Sequence, residues 1–599
     1  MAASSNGFAV VDESIEPLLL KNDVFRGESS KAEEDEAGVE GVVNYRGEKI
    51  VNRSKYGGWK CASILIGVEI CEMFAYNGIA SNLMTYLTGP LRQSTTTSAE
   101  NINVWHGVVM MLPVLGAFVA DSYLGRFHTI FLSSLIYILG LGLLTLSATV
   151  PSLGLPVSPT NNLSSTSSSF QILFFFLSLY LVALGRAGYK PCTEAFGANQ
   201  FDGRNPQECK SLSSFFNWWA LGLCLGSGIS NLTLNYVQES LSWKLGFGIP
   251  CISMVVALVF FLLGTRSYRY SVKENQENLV MSIARVFTLA AKNWRSRSSP
   301  SLTSIEEAEI GNSDHVPNNA HQFKFLDKAL IMSNDLVGTI KPGISCSITQ
   351  VEDAKALLCL VPIWFTCLIY AVVYAQSSTF FTKQGNTMER SIGALSIPAA
   401  SLQIFISLSI VFFIIIYDRL FVPLARAFSG KPNGITMLQR IGTGMFLSTL
   451  SMVVAAIVEK KRLQTAIDFG LINMPKATIP MSIWWLVPQY ILFGLADTFT
   501  MVGLQEFFYD QVPGGLRSIG ISLFSTIFGI GSFLSGFLIF VIEKVTNKNG
   551  QHSWFSDNIN CAHLDYFYWL LAALSATQMV SYLYFSKSYI YRRGTSMGY

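Results

Sequence analysis

GVEICEMFAYNGI, residues Gly67 to Ile79, places two glutamates, Glu69 and Glu72, three residues apart inside an otherwise apolar run. A bare carboxylate at bilayer depth costs roughly 2.5–3.5 kcal/mol even on lenient insertion scales. Glu69 also lies too far into the run for its short side chain to reach the interface. At 3.6 residues per turn the two acids share one helix face. A membrane helix keeps such a pair only where it meets a cavity or a partner. Whether this run is a membrane helix decides the fold.

Composition supports the membrane. The 599-residue chain is 50% hydrophobic and 14% charged, with mean hydropathy +0.39. Ordinary globular domains carry about 25% charge. Forty-two Phe and twenty-three Tyr suit a chain with aromatic interfaces. A net charge of +3, scattered along the sequence, excludes nucleic acid as a partner. Ten cysteines fall mostly in apolar runs without metal-ligand spacing, and six scattered histidines form no metal cluster.

Runs long enough to span begin near Ala62, Val104, Phe127, Phe170, Phe215 and Leu245. A polar segment containing SRSSPSLTSIEEAEIGNSDHVPNN follows, and six more runs begin near Ala354, Leu395, Ile441, Ile483, Ile519 and Tyr566. The division expected is a disordered cytoplasmic tail (1–58), a six-helix half (59–264), a cytoplasmic linker (265–352), a second half (353–587) and a short tail (588–599). Lysine and arginine favour cytoplasmic loops. The linker carries Arg266, Arg269, Lys273, Arg285, Lys292, Arg295 and Arg297, which puts it and both termini in the cytoplasm. Lys460, Lys461 and Arg462 break that pattern. Asn162 then falls in an outward glycosylation sequon, Asn162-Leu163-Ser164. In the tail, Glu16-Pro17-Leu18-Leu19-Leu20 has the form of an acidic dileucine sorting signal, which points to the vacuolar membrane, with the plasma membrane as the alternative.

Catalytic signatures are missing: no HExxH, Walker loop or nucleophile elbow occurs, and an enzyme is not expected. GIGSFLSG, Gly529 to Gly536, lies inside an apolar helix with no strand before it, so its small residues read as a close helix contact. GAFVADSYLGRFHTI puts Asp121, Gly125 and Arg126 in a tight turn after the second run, where a structural role in gating fits. This turn resembles the loop between helices 2 and 3 of major facilitator proteins. GRAGYKPCTEAFGANQFD (Gly185 to Asp202), SFFNWWALG (Ser214 to Gly222) and LQEFFYDQVP (Leu504 to Pro513) narrow the likeness. With GVEICEMFAYNGI they resemble the plant nitrate–peptide transporter family, a branch of the proton-dependent oligopeptide transporters. The match runs in order from about Tyr56 to Tyr584.

The resemblance implies an all-α integral membrane protein of the major facilitator fold, with twelve transmembrane helices in two six-helix halves. It also implies that Glu69 and Glu72 serve proton coupling. In the family's pattern the two glutamates are followed directly by Arg or Lys; here Met73 stands in that place. Lys190 then becomes the cation for both the glutamates and a substrate's anionic group. In IYAVVYAQSSTFF the likeness puts Tyr374 and Gln376 at the cavity, and in FGLADTFTMVGLQEFF it puts Asp497 where peptide carriers bind an amino terminus. Asn217 and Trp218, with Trp219 beside them, are candidate walls. The function implied is a secondary active transporter of nitrate, short peptides or another small anionic or zwitterionic metabolite, coupled to protons and working by alternating access, with no cofactor and no metal. Met73 keeps open an uncoupled facilitator, and a transporter-like sensor or receptor remains a third reading.

Overall fold

A computed structural model describes residues 41–50, 52–149, 169–202, 205–271, 279–294, 323–330, 346–393, 395–416, 435–475, 477–512, 517–547 and 553–589. Asn162, the dileucine stretch, the centre of the linker and almost all of 588–599 lie outside them.

A helix starts at or close to each of the twelve expected runs. The first half contains α1 (Gly58–Ala80), the short α2 (Leu83–Thr88), α3 (Thr95–Val119), α4 (Arg126–Ser147), α5 (Ser169–Ala198), α6 (Pro206–Tyr236) and α7 (Trp243–Leu263). After α8 (Leu279–Lys292) in the linker come α9 (Ile348–Thr366), α10 (Leu368–Tyr374), α11 (Phe380–Gly385), α12 (Ile404–Ile416), α13 (Met437–Asp468), α14 (Val487–Asp510), α15 (Arg517–Thr546) and α16 (Leu564–Ser588). Among the described residues eight helical segments are long and apolar enough to cross a membrane, or nine with the bent pair α9 and α10. The helix α6 carries many polar residues, α12 is described over a single short stretch, and α16 is rich in Tyr and Ser.

Packing repeats on advancing by six runs. In the first half α1 packs on α6 and α7, α3 on α5, and α4 on α5 and α7. In the second, α10 packs on α15, α9 on α16, α12 on α14, and α13 on α14 and α16. The halves meet most extensively at α3 with α15, and also where α6 meets α12 and α2 meets α11. The small residues of GIGSFLSG make the first of these close, as expected: Gly529 lies against Met111 and the Gly107 carbonyl, and Gly536 against Asn103.

Local chemistry sets the breaks. Capping boxes at Ser347 with Gln350 and at Thr436 with Gln439 start α9 and α13. Between α9 and α10 the axis bends by 46°, one turn after Pro362. The Thr366 carbonyl at the break accepts from the Gln578 side chain of α16, so the bend is held rather than loose. Gly125, at φ 77°, turns the chain between α3 and α4, a conformation that favours glycine.

Two expectations need correction. The tail is not disordered throughout: Val42–Val43 pairs antiparallel with Tyr270–Ser271. Arg53 meets Asp202 at 2.5 Å, and the buried Arg269 guanidinium binds Glu208 at 2.7 Å and the Tyr56 carbonyl at 2.9 Å. These charge-assisted bonds hold residues that composition alone reads as solvated. Nor does the basic cluster 460–462 count against the loop pattern, because α13 continues past it. Arg462 is fully buried, bidentate on Glu459 at 2.6 and 2.8 Å, and Lys461 lies 3.4 Å over the Trp485 ring.

The linker, too, carries structure. Val286 and Ala290 of α8 pack with Leu326 and Ala329, and with Val351 and Ala354 of α9, while Lys355 pairs with Asp327 at 2.6 Å. The described part of the linker from Leu279 onward is therefore docked on α9 of the second half.

Candidate functional site

Glu69 and Glu72 are fully buried on one face of α1, and α5 runs antiparallel beside them. Pro191 leaves the Ala187 carbonyl without its helical donor. Gly116 of α3 packs against that carbonyl so closely that a Cβ would lie 2.1 Å from its oxygen. Gly185 allows the same approach to the Tyr137 backbone of α4. With these small residues turned to α3 and α4, the charged residues of GRAGYK are left to face α1.

The result is a ladder of two ion pairs. Lys190 Nζ donates to Glu69 Oε1, and Arg186 Nε donates to Glu72 Oε1 at 2.8 Å. Arg186 also stacks 3.4 Å over the Tyr76 ring, and Tyr137 donates to the same Glu72 oxygen at 3.3 Å. The second oxygen of each glutamate is buried with no donor among the described residues. Met73 Sδ lies 3.9 Å from both Arg186 Nη2 and Lys190 Nζ. Lys190 is therefore not the only cation at the glutamates, and that expectation is corrected: Arg186 stands on Glu72. Arg186 was overlooked although it stands one helical turn from Lys190 in a stretch already singled out. Glu194, one turn beyond Lys190 and in its electrostatic field, completes the stripe 186, 190, 194.

Across the boundary, Asp497 of α14 is 4% exposed and accepts a hydrogen bond from Tyr370 of α10. Tyr374 packs on Phe493 and Phe528 and lies in electrostatic reach of Asp497, Tyr76 and Arg186, which puts it where the halves face each other. Gln376 is buried and committed: its amide donates to the Val372 carbonyl and, at 3.0 Å, to Ser535, which also accepts from Asn103 of α3. It joins α10, α15 and α3, while its Oε1 is buried with no partner among the described residues. Trp218 is also displaced from its expected place. It is 55% exposed on the α6 face shared with Leu221, Leu225 and Ile229, the face a membrane helix turns to lipid, while Trp219 packs inward on Phe215. The side chains of Asn217 and Asp121 lie outside the described residues. Arg126 meets the Asn199 oxygen at 2.6 Å once that amide is turned towards it, joining the Gly125 turn to the end of α5.

On the side away from the linker the halves are tied together. Arg390 Nη1 meets Glu239 at 2.9 Å, Asn386 donates to Thr85, Gln403 to the Ser81 carbonyl, and the Thr95 amide to Asp557 at 2.7 Å. This closure predicts an epistatic pair. Arg390→Glu sets two like charges face to face and should cut transport several-fold, whereas Arg390→Glu with Glu239→Arg should recover most of it. Equal activity in the single and double variants would remove the pair from the closure.

Two packed helix halves in a membrane, with an ionisable site at their boundary, define a solute carrier. A family model described as the POT family matches residues 127–555, and the chain belongs to that family. It is 57% identical over 563 residues to Protein NRT1/ PTR FAMILY 5.10 of Arabidopsis thaliana, covering 93% of this chain and 98% of that one. It is 52% identical to Protein NRT1/ PTR FAMILY 5.13 of the same plant, covering 94% and 99%. Among solved structures, an auto-inhibited POT family peptide transporter superposes with a TM-score of 0.67 at 20% identity, covering 90% of this chain and 99% of that one. The protein is thus a multi-pass membrane transporter of small molecules with the major facilitator fold.

Proposed function

We propose that the protein is a proton-coupled secondary transporter that moves nitrate, a short peptide or another small anionic or zwitterionic metabolite by alternating access. The observation that carries the reading is the state of the two glutamates. Each has one oxygen in an ion pair and one buried oxygen without a donor. A buried carboxylate oxygen without a donor is costly, and a proton on it removes the charge that burial penalises. Release of the proton when the site opens to water links its movement to the swing of the halves. Tyr374 and Asp497 present a hydroxyl and a carboxylate from the second half. They give the site the means to take a solute with both an anionic and an amino group, Lys190 and Asp497 being the respective partners.

The second reading, an uncoupled facilitator, rests on Met73, and the Arg186 guanidinium weakens it by restoring a second cation. Both termini in the cytoplasm, with the chain in the vacuolar or the plasma membrane, complete the proposal. The test is uptake by phospholipid vesicles containing the purified chain, with labelled nitrate, labelled dialanine and a labelled glucoside offered separately. Accumulation of one of them under an inward proton gradient, and its collapse with an ionophore, is expected. Flux indifferent to the gradient would favour the facilitator, and no flux of any of the three would favour the sensor.

A further inference from the structure

We propose that Arg186 supplies, from α5, the positive charge that position 73 lacks on α1, and that residues 73 and 186 form a matched pair of which one must be neutral. Position 73 projects into the gap between the two helices: the Met73 sulfur is equidistant, at 3.9 Å, from the Arg186 and Lys190 nitrogens. A cation there would sit against two others with two carboxylates, Glu69 and Glu72, to share among three charges. Glu194, the remaining acid of the cluster, lies one turn beyond Lys190, in the field of Lys190 and Glu69 and without an ion pair to Arg186 among the described residues. Like charges at that separation in a poorly solvated site repel strongly. A thioether is neutral, soft and unbranched, and fills the gap without a polar demand.

Arg186 fits the role of the transferred charge on three counts. Its side chain is 8% exposed and bonded to the fully buried Glu72 at 2.8 Å. Its guanidinium face lies on the Tyr76 ring at 3.4 Å, which fixes its plane. Tyr76, one turn along α1 from Glu72, also shares a hydrogen bond of 3.2 Å with His106 of α3. The α1 helix therefore supplies the acid and the aromatic platform, and α5 supplies the cation. Arg186 is a positioning residue: it holds Glu72 in place and balances its charge, and residue 73 must remain neutral while it does so.

The inference rests on the transport reading for its activity arm but not for its stability arm. Full-length chains carrying Met73→Arg, Arg186→Met and both changes together are purified in detergent and melted, then reconstituted for dialanine and nitrate uptake at several pH values. Arg186→Met leaves Glu72 buried without a cation, and Met73→Arg crowds three cations. Each should lower the melting temperature by about 5 °C or more and cut uptake roughly tenfold. The exchange of the two residues restores two cations to two acids, and should recover both the melting temperature and the pH profile of uptake. Met73→Lys with Arg186→Gln repeats the exchange with a slimmer cation. If both double variants melt at the sum of the single losses, the inference is overturned even where the native chain transports. If the melting temperatures recover while no native uptake of nitrate or dialanine is seen, the charge pairing stands and the transport reading has failed instead.

Discussion

Lys190→Gln should bring uptake to background while leaving the protein inserted and abundant. The reason is the environment of Glu69, which is fully buried and has Lys190 as its ion-pair partner on α5. Removing one partner of a buried pair costs about 3–5 kcal/mol. Lys190 is 25% exposed, so solvent screening reduces that to about 2–3 kcal/mol. A loss of that size is more than tenfold in any step that needs the charged pair. Glutamine can still donate a hydrogen bond to Glu69, so gross packing survives. It cannot offset the carboxylate charge, and a Glu69 that stays neutral keeps its proton and cannot release it. Lys190→Arg keeps the charge and should retain part of the activity. Uptake at the native rate in Lys190→Gln, with equal abundance, would remove Lys190 from the site.

Asp497→Asn should separate solutes by charge. The Tyr370 hydroxyl donates to Asp497 Oδ1, and an asparagine oxygen accepts the same bond, so the fold of α10 against α14 is kept. What is lost is a negative charge within electrostatic reach of Tyr374. If that charge receives an amino group, dialanine uptake loses a charge-assisted hydrogen bond of about 1.5–3 kcal/mol, or roughly 10- to 100-fold. Nitrate has no amino group and should be carried at close to the native rate. Equal loss of both solutes would show that Asp497 serves only to fasten Tyr370.

The glutamate pair and the two sets of six runs were legible because lipid makes both exceptional: an acid inside an apolar run has few explanations, and spans announce themselves by length. GIGSFLSG was legible for a related reason, since small residues on an apolar helix have one common use. Arg186 was less legible than Lys190, because an arginine with no proline beside it has many ordinary uses at a helix surface. Lysine beside proline looked distinctive, while the spacing 186, 190, 194, which puts three charges on one face, was in plain view. Trp218 and Trp219 could not be told apart from sequence, because a tryptophan facing lipid and one facing the bundle are equally apolar. Their environments follow only from the rotation of α6. The ties of Gln376 to Val372 and Ser535 were not legible, because a buried amide reads the same whether it meets solute or a neighbouring helix. The ordered stretch around Arg53 was hidden for another reason. Its partners, Asp202, Glu208 and Arg269, lie far away in the chain, and no local pattern reports such pairing.

Proton entry measured directly is the closest test of the coupling account. Vesicles loaded with a pH-sensitive dye and containing the native chain should acidify inside when dialanine or nitrate, whichever is carried, is added outside without an imposed gradient. Vesicles with Glu69→Gln and Glu72→Gln together should show no acidification, yet still exchange labelled for unlabelled solute across the membrane. Acidification that persists in the double variant at the native ratio to solute flux would contradict the assignment of the glutamate pair as the proton site.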